Sequence, residues 1–139
     1  MIKSPELSAN RRDRRRQRSD EPQVALCYQL QQVLTDFALE YCVIADETGT
    51  TVAEASCLSS DLGEEFATLL PTMAKLTEHR PRFIDQLRRH KPDLKDDELT
   101  ACVFRAGGRR MFIGAIGSEA VMNEVAIFRA ITGARRIHG

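Results

Sequence analysis

Leu99-Thr100-Ala101-Cys102-Val103-Phe104-Arg105-Ala106-Gly107-Gly108-Arg109-Arg110-Met111-Phe112-Ile113-Gly114-Ala115-Ile116-Gly117 reads as two strands joined by a glycine pair. A two-residue hairpin turn places both central residues at positive φ, which glycine adopts without steric cost, and such turns match the twist of antiparallel strands. Met111–Ile116 is apolar at nearly every position, the pattern of a strand inside a sheet or covered on both faces. A second hairpin stands upstream. Cys42–Ala45 and Thr51–Ala55 flank the acidic turn Asp46-Glu47-Thr48-Gly49-Thr50, whose glycine is placed for a left-handed residue.

Helical patterns surround both hairpins. A first helix is expected to open near Asp20-Glu21-Pro22, with Leu26, Leu30, Val33, Leu34, Phe37 and Tyr41 at helical spacing on its apolar face. A second opens at Asp61 and carries Leu62, Phe66, Leu69, Leu70, Met73 and Leu76, with Pro71 expected to kink it. Pro81 and Pro92 bracket a short third helix bearing Phe83, Ile84 and Leu87. Ser118 is placed to cap a last helix whose apolar face is marked by Val121, Val125, Phe128 and Ile131. The predicted fold class is α+β: a small antiparallel sheet of two hairpins with helices packed on it.

A chain of 139 residues with 42% hydrophobic residues is expected to make one domain plus a tail. No apolar run approaches the ~20 residues that span a bilayer, and the N-terminus lacks the apolar segment of a secretory signal. Cys27, Cys42, Cys57 and Cys102 show no metal-ligand spacing and read as small apolar fillers kept reduced in the cytoplasm. The zero net charge conceals an asymmetry. Arg11, Arg12, Arg14, Arg15, Arg16 and Arg18 crowd one segment, while Asp61, Glu64 and Glu65, then Asp93, Asp96, Asp97 and Glu98, form acidic clusters. Residues 1–19 read as a disordered tail or fraying helix, with the folded domain over 20–139.

No serine, histidine or carboxylate stands in a pattern that activates a nucleophile, and Ala106-Gly107-Gly108-Arg109 lacks the following helix of a phosphate cradle. The six arginines are the candidate site for an anionic partner; no aromatic residue is interleaved with them, which argues against a grip on single-stranded bases. The apolar surplus over residues 62–87 marks Leu62, Phe66, Leu69, Leu70, Met73 and Leu76 as a candidate homodimer interface.

Leu30 to Ile137 resembles the roadblock family, the dynein-light-chain-like domains with a profilin-like fold. The likeness rests on a helix running into the hairpin Tyr41–Ala53 with its Asp46-x-x-Gly49 turn, then the long helix Leu62–Leu76, a further hairpin and a terminal helix. Family members usually carry another strand before the last helix, for which Ser118–Asn123 leaves little room, and Pro81–Pro92 is an unusual insertion. The resemblance implies homodimerisation, partnership in prokaryotic relatives with small Ras-like GTPases as regulator or scaffold, and no catalytic residue of its own. The expected function is therefore non-enzymatic, with no cofactor. Two rivals are a GAF-like small-molecule sensor, its pocket between the sheet and the second and third helices, and an arginine-arm binder of nucleic acid or another anion.

Overall fold

A four-stranded antiparallel sheet is covered by helices on both faces, with strands β1 (Tyr41–Ala45), β2 (Thr51–Ser56), β3 (Leu99–Ala106) and β4 (Arg109–Ile116) in the order β2-β1-β4-β3. The helices are α1 (Asn10–Asp36), α2 (Ser60–Lys75), α3 (Arg80–Leu87) and α4 (Ala120–His138). This computed structural model describes residues 10–56 and 60–138, and for 10–21, 56, 60 and 61 the backbone only. Cys57 and residues 1–9 lie outside the described residues.

Each hairpin closes as the glycines demand. Gly49, Gly107 and Gly108 stand at φ values of 82°, 60° and 73°. The hairpins meet through their apolar strands: β1 pairs with β4 from Tyr41↔Ile116 to Ala45↔Phe112. Every residue of β1 is buried, as is every residue of β4 from Met111 to Ile116. The near-continuous apolar runs in the sequence are the signature of these two central, doubly covered strands.

Strand alternation then divides the core in two. Cys42, Ile44, Met111, Ile113 and Ala115 face α1 and α4, meeting Leu26, Leu30, Val33, Leu34, Ala126, Ile127 and Ala130. Tyr41, Val43, Phe112 and Ile116 face α2 and α3, meeting Leu62, Phe66, Leu70, Met73, Phe83, Ile84 and Leu87. Phe66 sits directly over Gly114, where an added Cβ would lie 2.5 Å from the ring. The same ring is tilted against Tyr41 at a centroid distance of 5.6 Å, a contact that contributes about 0.5–1.5 kcal/mol beyond its buried area.

Three expectations are corrected. α1 opens at Asn10, ten residues earlier than Asp20, so residues 10–19 follow its helical course and Pro22 lies inside it, unable to donate to the Arg18 carbonyl. Tyr41 belongs to β1 and the opposite core, because the chain leaves the helix through Ala38 at φ 53°. α4 buries a different face from the one its large apolar residues mark. Asn123, Ala126, Ile127, Ala130, Gly133 and Ala134 turn inward, while Val121, Met122, Val125 and Phe128 face solvent. The close approach of α1 selects small residues there: a Cβ on Gly133 would lie 2.5 Å from Gln29.

The hairpin turn predicts an asymmetry between its glycines. Alanine at either position should cost about 1–2 kcal/mol for the left-handed backbone. Gly107→Ala should cost more than Gly108→Ala, because its methyl would meet the His138 carbonyl at 2.8 Å whereas Gly108 has open space. Thermal unfolding of both variants checks this; equal losses would mean that the end of α4 does not pack on the turn.

Candidate functional site

The residues singled out in α2 fall into two groups. Leu62, Phe66, Leu70 and Met73 are buried within a single chain against the sheet, so a second copy has no further water to remove from them. Leu69 is half-buried and Leu76 is exposed, and these two remain available to a partner. Arg11, Arg12, Arg14, Arg15, Arg16 and Arg18 lie on the first turns of α1, where only the backbone is described.

A different surface is built along β3, one of the two edge strands of the sheet. In a two-residue hairpin the flanking pair, here Ala106 and Arg109, is hydrogen-bonded, and pairing alternates from there. The backbone groups of Leu99, Ala101, Val103 and Arg105 consequently turn away from β4. Both ends of that row are covered: the Arg80 guanidinium donates to the Leu99 carbonyl and the Arg135 Nε to the Arg105 carbonyl at 3.1 Å. The middle, Ala101 to Val103, carries no strand or arginine cover among the described residues. Val103 is 48% exposed. An open edge of this kind accepts another strand.

Charge is polarised along the same edge. The turn Asp96–Glu98 precedes β3, while Arg105, Arg109 and Arg110 surround the hairpin tip at its other end. Arg105 stands directly opposite Arg110, a like-charge pairing that costs stability on its own. A carboxylate of Glu47 answers Arg110 at 3.6 Å. Hollows of about 430 and 500 Å³ flank this tip, the second lined by Lys75, Val103, Arg105, Arg110 and Arg135. A third, of about 590 Å³, lies between Gly49, Thr51, Glu64, Thr68 and the Glu65–His90 pair.

Other polar groups serve the fold. Asn123, buried at the start of α4, donates through Nδ2 to the Glu98 and Gly117 carbonyls at 3.0 Å each, tying α4 to the start of β3 and the end of β4. Nothing in the sequence singles it out except a lone amide in an apolar helix. Burial, then the hydrogen bond to Glu54 at 2.8 Å, raises the Tyr41 hydroxyl far above its ordinary range, so it stays protonated. Burial pushes the Cys42 thiol up to about 12, leaving it unreactive at neutral pH. The hydroxyl of Thr48 and the backbone N–H groups of Thr48 and Thr50 all donate to Asp46, holding its carboxyl below the usual range.

No family model matches the sequence, and no curated protein matches it significantly. Among solved structures, Myxococcus xanthus MglB superposes with a TM-score of 0.57 at 10% identity, over 83% of this chain and 88% of that one. The fold is roadblock-like. The sheet flanked by α2 on one face and by α1 and α4 on the other is the α+β arrangement that the resemblance implied, with four strands among the described residues.

Asp46 makes a pH prediction. Its folded-state pKa is lowered, so its stabilisation is present above the unfolded carboxylate pKa of about 3.9 and is lost as pH falls through the folded value. Asp46→Ala should be less stable than the unmutated chain at neutral pH, and the gap should close in acid. Urea titrations across pH check it; a constant gap would separate the turn's stability from this carboxylate. Cysteine chemistry gives a second test. Cys27 and Cys102 are half-exposed and should react with a thiol reagent before Cys42. Mass mapping of the native protein that found Cys42 labelled first would contradict its burial.

Proposed function

We propose that this chain is a non-enzymatic regulatory or scaffold domain that works through protein–protein contacts: it pairs with a second copy and engages a small Ras-like GTPase. The observation that carries the reading is the roadblock-like architecture, extending over 83% of the chain. The space between the sheet and helices α2 and α3, where a GAF-like sensor would hold its ligand, is filled by Tyr41, Phe66, Leu70, Phe83, Leu87 and Phe112. That filling favours contact at the surface over ligand capture in the interior. The arginines of the first turns of α1 are assigned, within the same proposal, to an anionic region of a partner.

The self-contact we assign to the β3 edge. Antiparallel addition of a second β3 centred on Val103 sets Ala101 against the second copy's Arg105. It also brings the acidic Asp96–Glu98 turn of each copy towards the basic hairpin tip of the other. Backbone hydrogen bonds supply affinity in such strand addition, and the polarised charge selects the antiparallel register. Leu76, which follows α2, adds exposed apolar area available to a partner.

Two measurements test the reading. Val103→Pro removes an outward amide that an edge strand in a monomer does not use, so the variant should fold and be monomeric at the edge. Analytical ultracentrifugation of an unchanged dimer would exclude β3 as the contact. For the GTPase, the purified protein should bind a small Ras-like GTPase of its source organism in a nucleotide-dependent way. Absence of binding in both the GDP and the GTP-analogue states would remove that partner.

A further inference from the structure

We propose that the hollow beside the tip of the β3–β4 hairpin, walled by Lys75, Arg105, Arg110 and Arg135, is a binding site for a phosphate-bearing ligand. Three separate elements bring these cations together. Strand alternation puts Val103, Arg105, Arg110 and Phe112 on the side of the sheet that α2 covers, with Arg105 opposite Arg110 and Val103 opposite Phe112. Lys75 enters from the last turn of α2, its ammonium 5.6 Å from the centre of the Phe112 ring. Arg135 comes from the last turn of α4, and its Nε donates to the Arg105 carbonyl at 3.1 Å. The space between them measures about 500 Å³, and Val103 gives it an apolar wall. Small-molecule sites run from about 300 to 1,000 Å³.

The fold of one chain accounts for only part of this gathering. Lys75 and Arg135 suit the negative ends of α2 and α4. Arg105 and Arg110 have no such reason, because like charges directly opposite on one face of a sheet oppose folding. Glu47 meets Arg110 at 3.6 Å. No carboxylate among the described residues forms an ion pair with Lys75, Arg105 or Arg135. The hollow on the other side of the tip shares Arg105 and Arg110 but is also lined by Asp46 and Glu47, so it attracts an anion less. The chain as a whole has a formal net charge of zero, and the excess of cations here is local.

The donors define the chemistry of the ligand. A guanidinium presents its N–H groups as a fork that fits the oxygens of a phosphate, and an ammonium adds a compact charge. A phosphate monoester carries about 1.5–2 negative charges at pH 7. One or two such groups neutralise the three cations that lack an ion pair, whereas a peptide would need several carboxylates side by side. Arg135 on the Arg105 carbonyl and Lys75 over the Phe112 ring are already held, so little side-chain freedom is lost when the ligand arrives. Phosphate of this kind is presented by a soluble phosphorylated compound or by a lipid headgroup. All four cations belong to one chain, so the site does not rest on the pairing of β3.

Inorganic pyrophosphate probes for the soluble source, and vesicles of phosphatidylcholine with phosphatidic acid present the same chemistry on a bilayer. Arg105→Gln and Arg135→Gln are compared with Arg82→Gln, which removes an equal charge from an exposed position of α3 outside the hollow. At an ionic strength held constant with KCl, pyrophosphate should bind the unmutated chain and raise its melting temperature. Arg105→Gln and Arg135→Gln together should weaken binding about tenfold, and Arg82→Gln should leave it unchanged. Arg105→Gln alone should melt higher than the unmutated chain without the anion and gain less from it, since the change relieves a repulsion and removes a donor. A purely structural arginine would not do both. Sedimentation in the same buffers reads self-association separately, so failure of the edge contact and failure of this site are distinct results. Pyrophosphate binding without vesicle retention assigns a soluble ligand. Vesicle retention that the double variant abolishes assigns a headgroup, because retention through the arginines of α1 would survive those changes. The proposal is overturned if KCl alone reproduces the stabilisation, if Arg82→Gln weakens binding as much as Arg105→Gln, or if the double variant weakens binding of neither probe.

Discussion

The pairing of β1 with β4 is the constraint from which the rest of the molecule follows. Each hairpin alone is a two-stranded ribbon with an apolar central strand, and such ribbons are marginal in water. Joined along Tyr41–Ala45 and Phe112–Ile116, they form a sheet whose two middle strands are apolar on both faces. That sheet requires cover on both sides. Helices α1 and α4 supply one cover and α2 with α3 the other, and the two clusters of buried side chains meet only through the strands. The sheet can bring α2 close because Gly114 leaves room for the Phe66 ring.

The same arrangement decides where function can reside. With both faces of the sheet covered and the space between sheet and helices filled by side chains, the surfaces on offer among the described residues include the edge strands β2 and β3, the charged hairpin tip and the outward side of α4. Arg80 and Arg135 cover the ends of the edge and leave its middle open. An edge protected in part is managed against indiscriminate pairing while still admitting one partner in one register. In the proposed pairing the polarised charge along β3 favours the same register. The proposed scaffold role accordingly draws on these surfaces.

The hairpins were legible because glycine pairs and the Asp46-x-x-Gly49 turn report local backbone needs that no distant contact alters. The central strands were legible because a run such as Met111–Ile116 has no polar position to turn outward. The stripe of α2 was legible as apolar, yet periodicity cannot say whether such a stripe meets its own sheet or another chain; burial of Phe66 and Met73 decides that. The buried face of α4 is not legible in the sequence, for a physical reason. Periodicity weighs Val121, Val125 and Phe128 above Ala126, Ala130 and Ala134, whereas the interhelical distance to α1 rewards small side chains. The start of α1 was obscured by arginines that carry charge but no apolar rhythm. Asn123, and the caps that Arg80 and Arg135 place on β3, depend on residues brought together across the chain, and no local spacing announces them.

The proposed self-contact makes β3 an edge that receives a second strand. Amide hydrogen exchange, followed residue by residue as protein concentration is raised, tests it most directly. The amides of Ala101 and Val103 turn outward and should exchange quickly in dilute solution, then slow as copies pair, while that of Cys102, bonded within the sheet, stays protected throughout. Exchange at Ala101 and Val103 that remains fast at every concentration would contradict the account.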